Sequence, residues 1–285
     1  MRIRQTIIGA TTTLAAALGL LAGAPAATAA ATIPAGPTGP TAPAVPLLPH
    51  SAAAAATTGP ICWFGACYDY VNGRQITDAG GATVRMLVAD PAIKPGDTDS
   101  HSLQELALQS SDQKSTVEIG WTVDLGLNGD LRPHLFVYHW VDGAESCYNG
   151  CGFVQVSHSA KAGMALPTGS AARFSIQNVA GDWWVFYNEQ AVGYFPGSLW
   201  QGKYTRAQMI STFGEVAHAS GSTCEQMGDG RQGTAHGSGW IDDFHLLDAT
   251  DRSNLTVTAT SPALYSAGHL TPTSFHLGGP GTGPC

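Results

Sequence analysis

Two glutamates in strand-like surroundings are the residues of this chain best suited to acid–base chemistry. Glu118 lies in Thr116-Val-Glu-Ile-Gly-Trp-Thr-Val-Asp124, and Gly120 on its own side of the strand leaves space above the carboxylate. Glu215 lies in Phe213-Gly-Glu-Val216, again beside a glycine. Taken singly, each resembles an ordinary solvated strand carboxylate. As a pair they offer water activation, one carboxylate removing a proton while the other, still protonated, supplies one.

Other chemistries find less support. The chain has 10 histidines, but His134, His139, His158, His218, His236 and His245 fit no metal spacing such as H-E-x-x-H, and no Gly-x-Ser-x-Gly follows a strand. The glycine-rich run Gly278–Pro284 has no Lys-Ser/Thr and opens no helix, so it is no phosphate loop. Cys147-Tyr-Asn-Gly-Cys151 has no second cysteine pair at zinc-finger spacing. No metal and no cofactor is expected. The aromatics Trp183, Trp184, Phe186, Tyr187, Tyr194, Phe195 and Trp200 read chiefly as core and sheet-surface residues, with a minority free to line a groove.

Strands must position the glutamates. Val117, Ile119, Trp121 and Val123 alternate strictly with Thr116, Glu118, Gly120, Thr122 and Asp124, the period-two pattern of a strand with two unlike faces. Turn residues at 126–130 and an apolar run Leu135–Trp140 complete a hairpin. Further strands are predicted at Phe153–Ser157, Arg173–Val179, Trp183–Asn188, Ala191–Pro196, Phe213–His218 and Trp240–Leu247. Two short helical turns are predicted: Ser102-Leu-Gln-Glu105 has capping-box spacing, and Thr205–Ile210 could form a brief helix. Many strands, few helices and no strand–helix alternation predict an all-β fold, an antiparallel β-sandwich.

Composition agrees and excludes several classes. The chain has 285 residues, 12% charged and 44% hydrophobic, with 35 Gly and 17 Pro, which suits strands and turns rather than helical bundles. Its net charge of −8 argues against nucleic-acid binding, which needs clustered Lys and Arg. Residues 1–30 read as a secretory signal peptide: a basic start at Arg2 and Arg4, an interrupted apolar run and a small-residue end near Ala30. Residues 31–60 read as an Ala/Pro/Thr-rich linker or short propeptide, with Pro34, Pro37, Pro40, Pro43, Pro46 and Pro49 at every third position favouring an extended tether. The folded domain is placed at 61–285, and the product is expected outside the cell, off the membrane and monomeric. Six cysteines allow about 15 pairings, and an even number in an exported chain favours disulfides. Proximity suggests Cys62–Cys67 and Cys147–Cys151, leaving Cys224–Cys285.

Several motifs occur in one order: Glu118-x-Gly-Trp-x-Val123, Phe136-x-Tyr138, Cys147-Tyr-Asn-Gly-Cys-Gly-Phe-Val-Gln-Val-Ser157, Asp182-Trp-Trp184, Val192-Gly-Tyr-Phe-Pro196, Gly214-Glu-Val216, Gln226-Met-Gly-Asp-Gly230 and Asp243-Phe-His-Leu-Leu-Asp248. The series, spanning about Ser102 to Asp248, resembles the neprosin family of secreted glutamic peptidases. The resemblance implies a β-sandwich whose concave face holds two catalytic glutamates, falling here on Glu118 and Glu215. It also implies disulfides at Cys147–Cys151 and Cys224–Cys285, and a peptide or protein substrate, proline-rich ones included, cleaved after proline in acid. The motif departs where Phe213-Gly214 stands in place of two glycines. Gln226, Tyr138 and Tyr194 are candidate oxyanion donors, and Trp184 a candidate substrate-contacting aromatic. The same fold could instead serve a carbohydrate-binding module using Trp183, Trp184, Tyr194 and Trp200, or a two-carboxylate glycosidase or lyase.

Overall fold

The alternation read between Thr116 and Asp124 is realised as a strand whose two faces serve different purposes. A computed structural model of the protein describes residues 59–63, 66–219 and 223–285. The predicted signal and nearly all of the predicted tether lie outside the described residues.

Among the described residues, fourteen antiparallel strands form one curled sheet. They are β1 (Ile61–Trp63), β2 (Ala66–Leu87), β3 (His101–Gln109), β4 (Thr116–Asp124), β5 (His134–Trp140), β6 (Val154–Gln155), β7 (Ala171–Val179), β8 (Asp182–Tyr187), β9 (Gln190–Phe195), β10 (Ala207–Ala219), β11 (Gly239–Ala249), β12 (Thr256–Ala259), β13 (Ser266–Thr271) and β14 (Ser274–Gly278). The main path runs β5-β4-β3-β10-β2-β7-β8-β9-β6. Helix among them is limited to α1 (Leu125–Asn128) and a 3-10 turn at Gly197–Trp200.

The sheet folds over on itself because β2, 22 residues long, belongs to both layers. Its first part pairs with β10 from Ala66 to Ala79, and its last part pairs with β7 from Gly81 to Leu87. The handover falls at Gly80-Gly81, where the chain comes so close to its neighbours that a Cβ on Gly81 would lie 2.4 Å from the Ile176 carbonyl oxygen. Between the layers, Val117, Ile119, Trp121 and Val123 of β4 share a core with Val84 of β2, Phe174 and Ile176 of β7 and Trp183 and Val185 of β8. Trp121 is fully buried and donates from Nε1 to the Leu87 carbonyl at 3.1 Å, joining a large apolar burial to a satisfied polar atom.

Both predicted helical turns are corrected. Ser102–Glu105 lies inside β3, every residue of which is buried, and β3 is paired on both sides, by β4 and β10. Two ladders of hydrogen bonds outweigh the helical preference of Leu, Gln, Glu and Ala. Thr205–Ile210 likewise forms no helix, since β10 begins at Ala207 and runs antiparallel to β2 and β3. All three cysteine pairs are bonded as proximity suggested.

Candidate active site

Glu118 and Glu215 stand on the same face of the outer layer, the face turned away from the core between the layers. Cross-strand partners share a face, and the pairings Glu118 with Tyr138 of β5 and with Ala107 of β3, and Glu215 with Leu103 of β3 and with Tyr70 of β2, fix the placement. On β3, Leu103 and Ala107 flank a third acid, Glu105, whose partners are Gly120 on β4 and Phe213 on β10. Glu105 is therefore a diagonal neighbour of both other glutamates, and the three carboxyl groups form an oblique row across β4, β3 and β10. All three are buried, with exposures of 2% for Glu118 and 0% for Glu105 and Glu215. Gly120 makes this row possible, because a Cβ there would lie 2.1 Å from the Gln104 carbonyl oxygen and 2.8 Å from the Glu105 Cα.

The acids have different partners. Trp140 donates from Nε1 to Glu118 Oε1 at 3.0 Å. Burial first, and then the charge of Glu215, push the Glu118 carboxyl up to about 8 from its ordinary 4.5, against the opposing Trp140 bond. Burial and the charges of Glu118 and Glu215 hold Glu105 well above the carboxylate range. Glu215 differs in having a cationic partner: His101 of β3 donates from Nε2 to Glu215 Oε1 at 2.7 Å. Burial lowers the affinity of His101 for its proton, but the bond to Glu215 and the charges of Glu215 and Asp124 outweigh it and raise the imidazole above its ordinary value. Asp124 lies 3.9 Å from His101 Nδ1 and also accepts from the Leu127 amide at 2.8 Å, capping α1.

Aromatic side chains surround the row. Tyr68, Tyr70, Phe136, Tyr138, Trp140 and Phe213 form a second buried cluster with Leu103, Ala107 and Ala217, on the opposite side of the layer from the main core. Tyr148, between Cys147 and Cys151, packs on Phe136 and Tyr138 with ring centroids 5.3 and 5.0 Å away. Burial and the charges of Glu215, Glu105, Glu118 and Asp124 raise the Tyr148 hydroxyl well above its ordinary range, so it keeps its proton and remains a donor. Tyr138 is held similarly; its hydroxyl accepts from the Ser146 amide at 2.9 Å, which leaves its own proton free to donate.

Of the residues singled out in the sequence, Glu118, Glu215 and Tyr138 come together, and three others do not. Trp184 and Tyr194 stack on each other at 4.7 Å on β8 and β9. Trp183 and Val185 point into the core, so the alternation sends Trp184 to the outside of the other layer. Gln226 is committed to Ala92: its side-chain Oε1 accepts from the Ala92 backbone N–H at 3.1 Å, and its backbone N–H donates to the Ala92 carbonyl at 2.9 Å. Sequence reasoning missed His101, Glu105 and Tyr148. For the first two the signal was present, since His101, Leu103, Glu105 and Ala107 have strand spacing, but the capping-box reading concealed it.

The Neprosin family model matches residues 98–280, well over half of the chain, and the chain belongs to that family. Among solved structures, scytalido-glutamic peptidase with a transition-state analog inhibitor is similar at 8% identity and a TM-score of 0.47, over 73% of this chain and 97% of that one. SCP-B, a member of the eqolisin family of peptidases, is similar at 8% identity and a TM-score of 0.39, over 73% and 96%. Chicken galectin 2 is similar at 8% identity and a TM-score of 0.31, over 53% and 99%.

Proposed function

We propose that this protein is a secreted glutamic endopeptidase in which Glu215 is the general base and Glu118 the general acid. The observation carrying the assignment is the asymmetry between the acids: Glu215 has the imidazole of His101 at 2.7 Å, whereas Glu118 has only the neutral indole of Trp140. A carboxylate held by a hydrogen bond from an imidazole is oriented to take a proton from water. A carboxyl beside a neutral donor in a buried site keeps its proton. Water attacks the peptide carbonyl as Glu215 removes its proton. Glu118 donates a hydrogen bond to the developing oxyanion and then passes its proton to the leaving amine. The hydroxyls of Tyr138 and Tyr148 are further donors to the oxyanion. The half-buried ring of Tyr148, packed on Phe136 and Tyr138, offers a stacking surface for a proline ring, which supports cleavage after proline. Activity runs from acid up to the loss of the Glu118 proton, near pH 8. The three disulfides accord with an oxidising, extracellular setting.

The test is a mass survey of the products when the parent protein, Glu118→Gln and Glu215→Gln are each incubated with a proline-rich protein at acidic pH. The reading requires new peptides ending in proline from the parent and near-complete loss in both variants, with folding retained. Sugar release or retention on a glycan column, without any peptide cleavage, would contradict it.

A further inference from the structure

Glu105 has no assigned role, yet it occupies the middle of the glutamate row. Its opposite residues are Gly120 and Phe213, each two places along its strand from Glu118 and Glu215 respectively. Diagonal neighbours of this kind lie about 7–8 Å apart, within reach of glutamate side chains leaning toward one another. Glu118 and Glu215 are themselves separated by a whole strand and by four residues of register, from Ala107 to Leu103. Both Glu105 carboxyl oxygens are buried with no hydrogen-bond partner, as are Glu118 Oε2 and Glu215 Oε2. A buried carboxyl without a partner is costly to maintain as mere filling, and these four oxygens belong to one continuous row.

We propose that Glu105 relays a proton from Glu215 back to Glu118 at the end of each turnover. The proposal rests on the role assignment above. After hydrolysis Glu215 holds the proton taken from water and Glu118 has lost its own to the amine, so passing one proton from the first to the second restores the starting state. A neutral carboxyl between them does this by accepting the Glu215 proton on its carbonyl oxygen while its hydroxyl proton passes to Glu118. Glu105 ends neutral, its two oxygens having exchanged roles, and no co-reactant is consumed. Burial and the charges of Glu118 from β4 and Glu215 from β10 favour this neutral form, and the other titratable groups that sense its charge are the phenols of Tyr70 and Tyr148. The imidazole of His101, farther along β3, is engaged with Glu215 rather than with Glu105.

Glu105→Gln tests the relay, because an amide of the same shape cannot exchange a proton in this way. Rapid-mix kinetics on a peptide cleaved by the parent should show a burst of about one product per enzyme, followed by a steady rate lowered about tenfold or more. KM should be little changed. A Glu105→Gln enzyme with parental kcat and no burst would overturn the relay. So would a slowed variant that shows no burst. Infrared titration provides a readout independent of turnover and of that variant: Glu118→Gln should retain a neutral buried carboxyl near pH 6, and its absence would also overturn the proposal. The peptidase reading fails separately, through a parent that cleaves no peptide or through Glu118→Gln and Glu215→Gln that cleave like the parent.

Discussion

His101 and Glu215, on the adjacent strands β3 and β10, meet across 2.7 Å with exposures of only 1% and 0%. The contact makes the two glutamates proposed as catalytic electrostatically unequal, and from it follows a variant whose effect depends on pH. His101→Ala leaves Glu215 buried without its cation, and breaking a buried pair in this way costs about 3–5 kcal/mol. The loss should be largest in acid, where the imidazole carries its proton, and shrink as pH rises through the elevated value of His101. Denaturant melts at pH 6 and pH 9 would show it; an equal loss at both would contradict the pairing.

The raised carboxyls make the fold more stable in acid than in mild alkali. Glu118 binds its proton more tightly folded than unfolded, so between its ordinary 4.5 and about 8 the native state holds the extra proton, and stability falls as pH rises through that window. For Glu118 alone the full loss is on the order of 5 kcal/mol. Glu105 and His101 are raised too and act with the same sign, His101 losing its contribution as pH rises through its elevated value. Thermal melts from pH 5 to 9 should show a steadily falling Tm, and the Glu118→Gln variant should flatten the slope. A Tm that rises over this range would contradict the burial argument.

Gly120 is expected to tolerate no side chain. A methyl group there meets the Gln104 carbonyl oxygen and Glu105 at backbone distances that cannot both relax, so Gly120→Ala should destabilise by about 3 kcal/mol or more. Gly129→Ala provides the contrast: nothing lies within 4 Å of its Cβ, and the cost is the left-handed φ of 77° alone, about 1 kcal/mol. Chemical denaturation of both variants would rank them.

The disulfides should separate stability from activity. In the chain-entropy model, removing Cys224–Cys285, which spans 61 residues, costs about 4 kcal/mol, while removing Cys147–Cys151, which spans four, costs about 2 kcal/mol. The short bridge holds Tyr148 over the glutamates, so Cys147→Ser/Cys151→Ser should lower kcat/KM more than the double serine variant of the long bridge, while lowering Tm less. The reverse ranking would remove Tyr148 from the site.

The legible parts of the sequence were those where alternation and function coincide. β4 was read to the residue because its apolar positions enter the core and its polar positions carry the site, so one pattern reported both. β2 was missed because Asn72-Gly73, Asp78 and Gly80-Gly81 resemble turns; in the structure Gly73 makes room for the Phe275 ring, and Gly80-Gly81 marks the passage between layers. β3 was hidden by its helix-forming residues and its burial on both faces, and with it went His101 and Glu105, the two residues that give the glutamate pair its asymmetry and its centre. Only residue type points to Trp184 and Tyr194 as site residues, and residue type says nothing of which layer a strand joins.

The central claim, that Glu215 is the base and Glu118 the acid, is tested most directly by kcat/KM for the two single amide variants on one peptide at one acidic pH. An amide at 118 can still donate a hydrogen bond to the oxyanion, whereas an amide at 215 cannot take a proton from water. The account predicts a fall of about 10⁴ for Glu215→Gln and about 10² for Glu118→Gln. Equal losses, or a greater loss at 118, would contradict it.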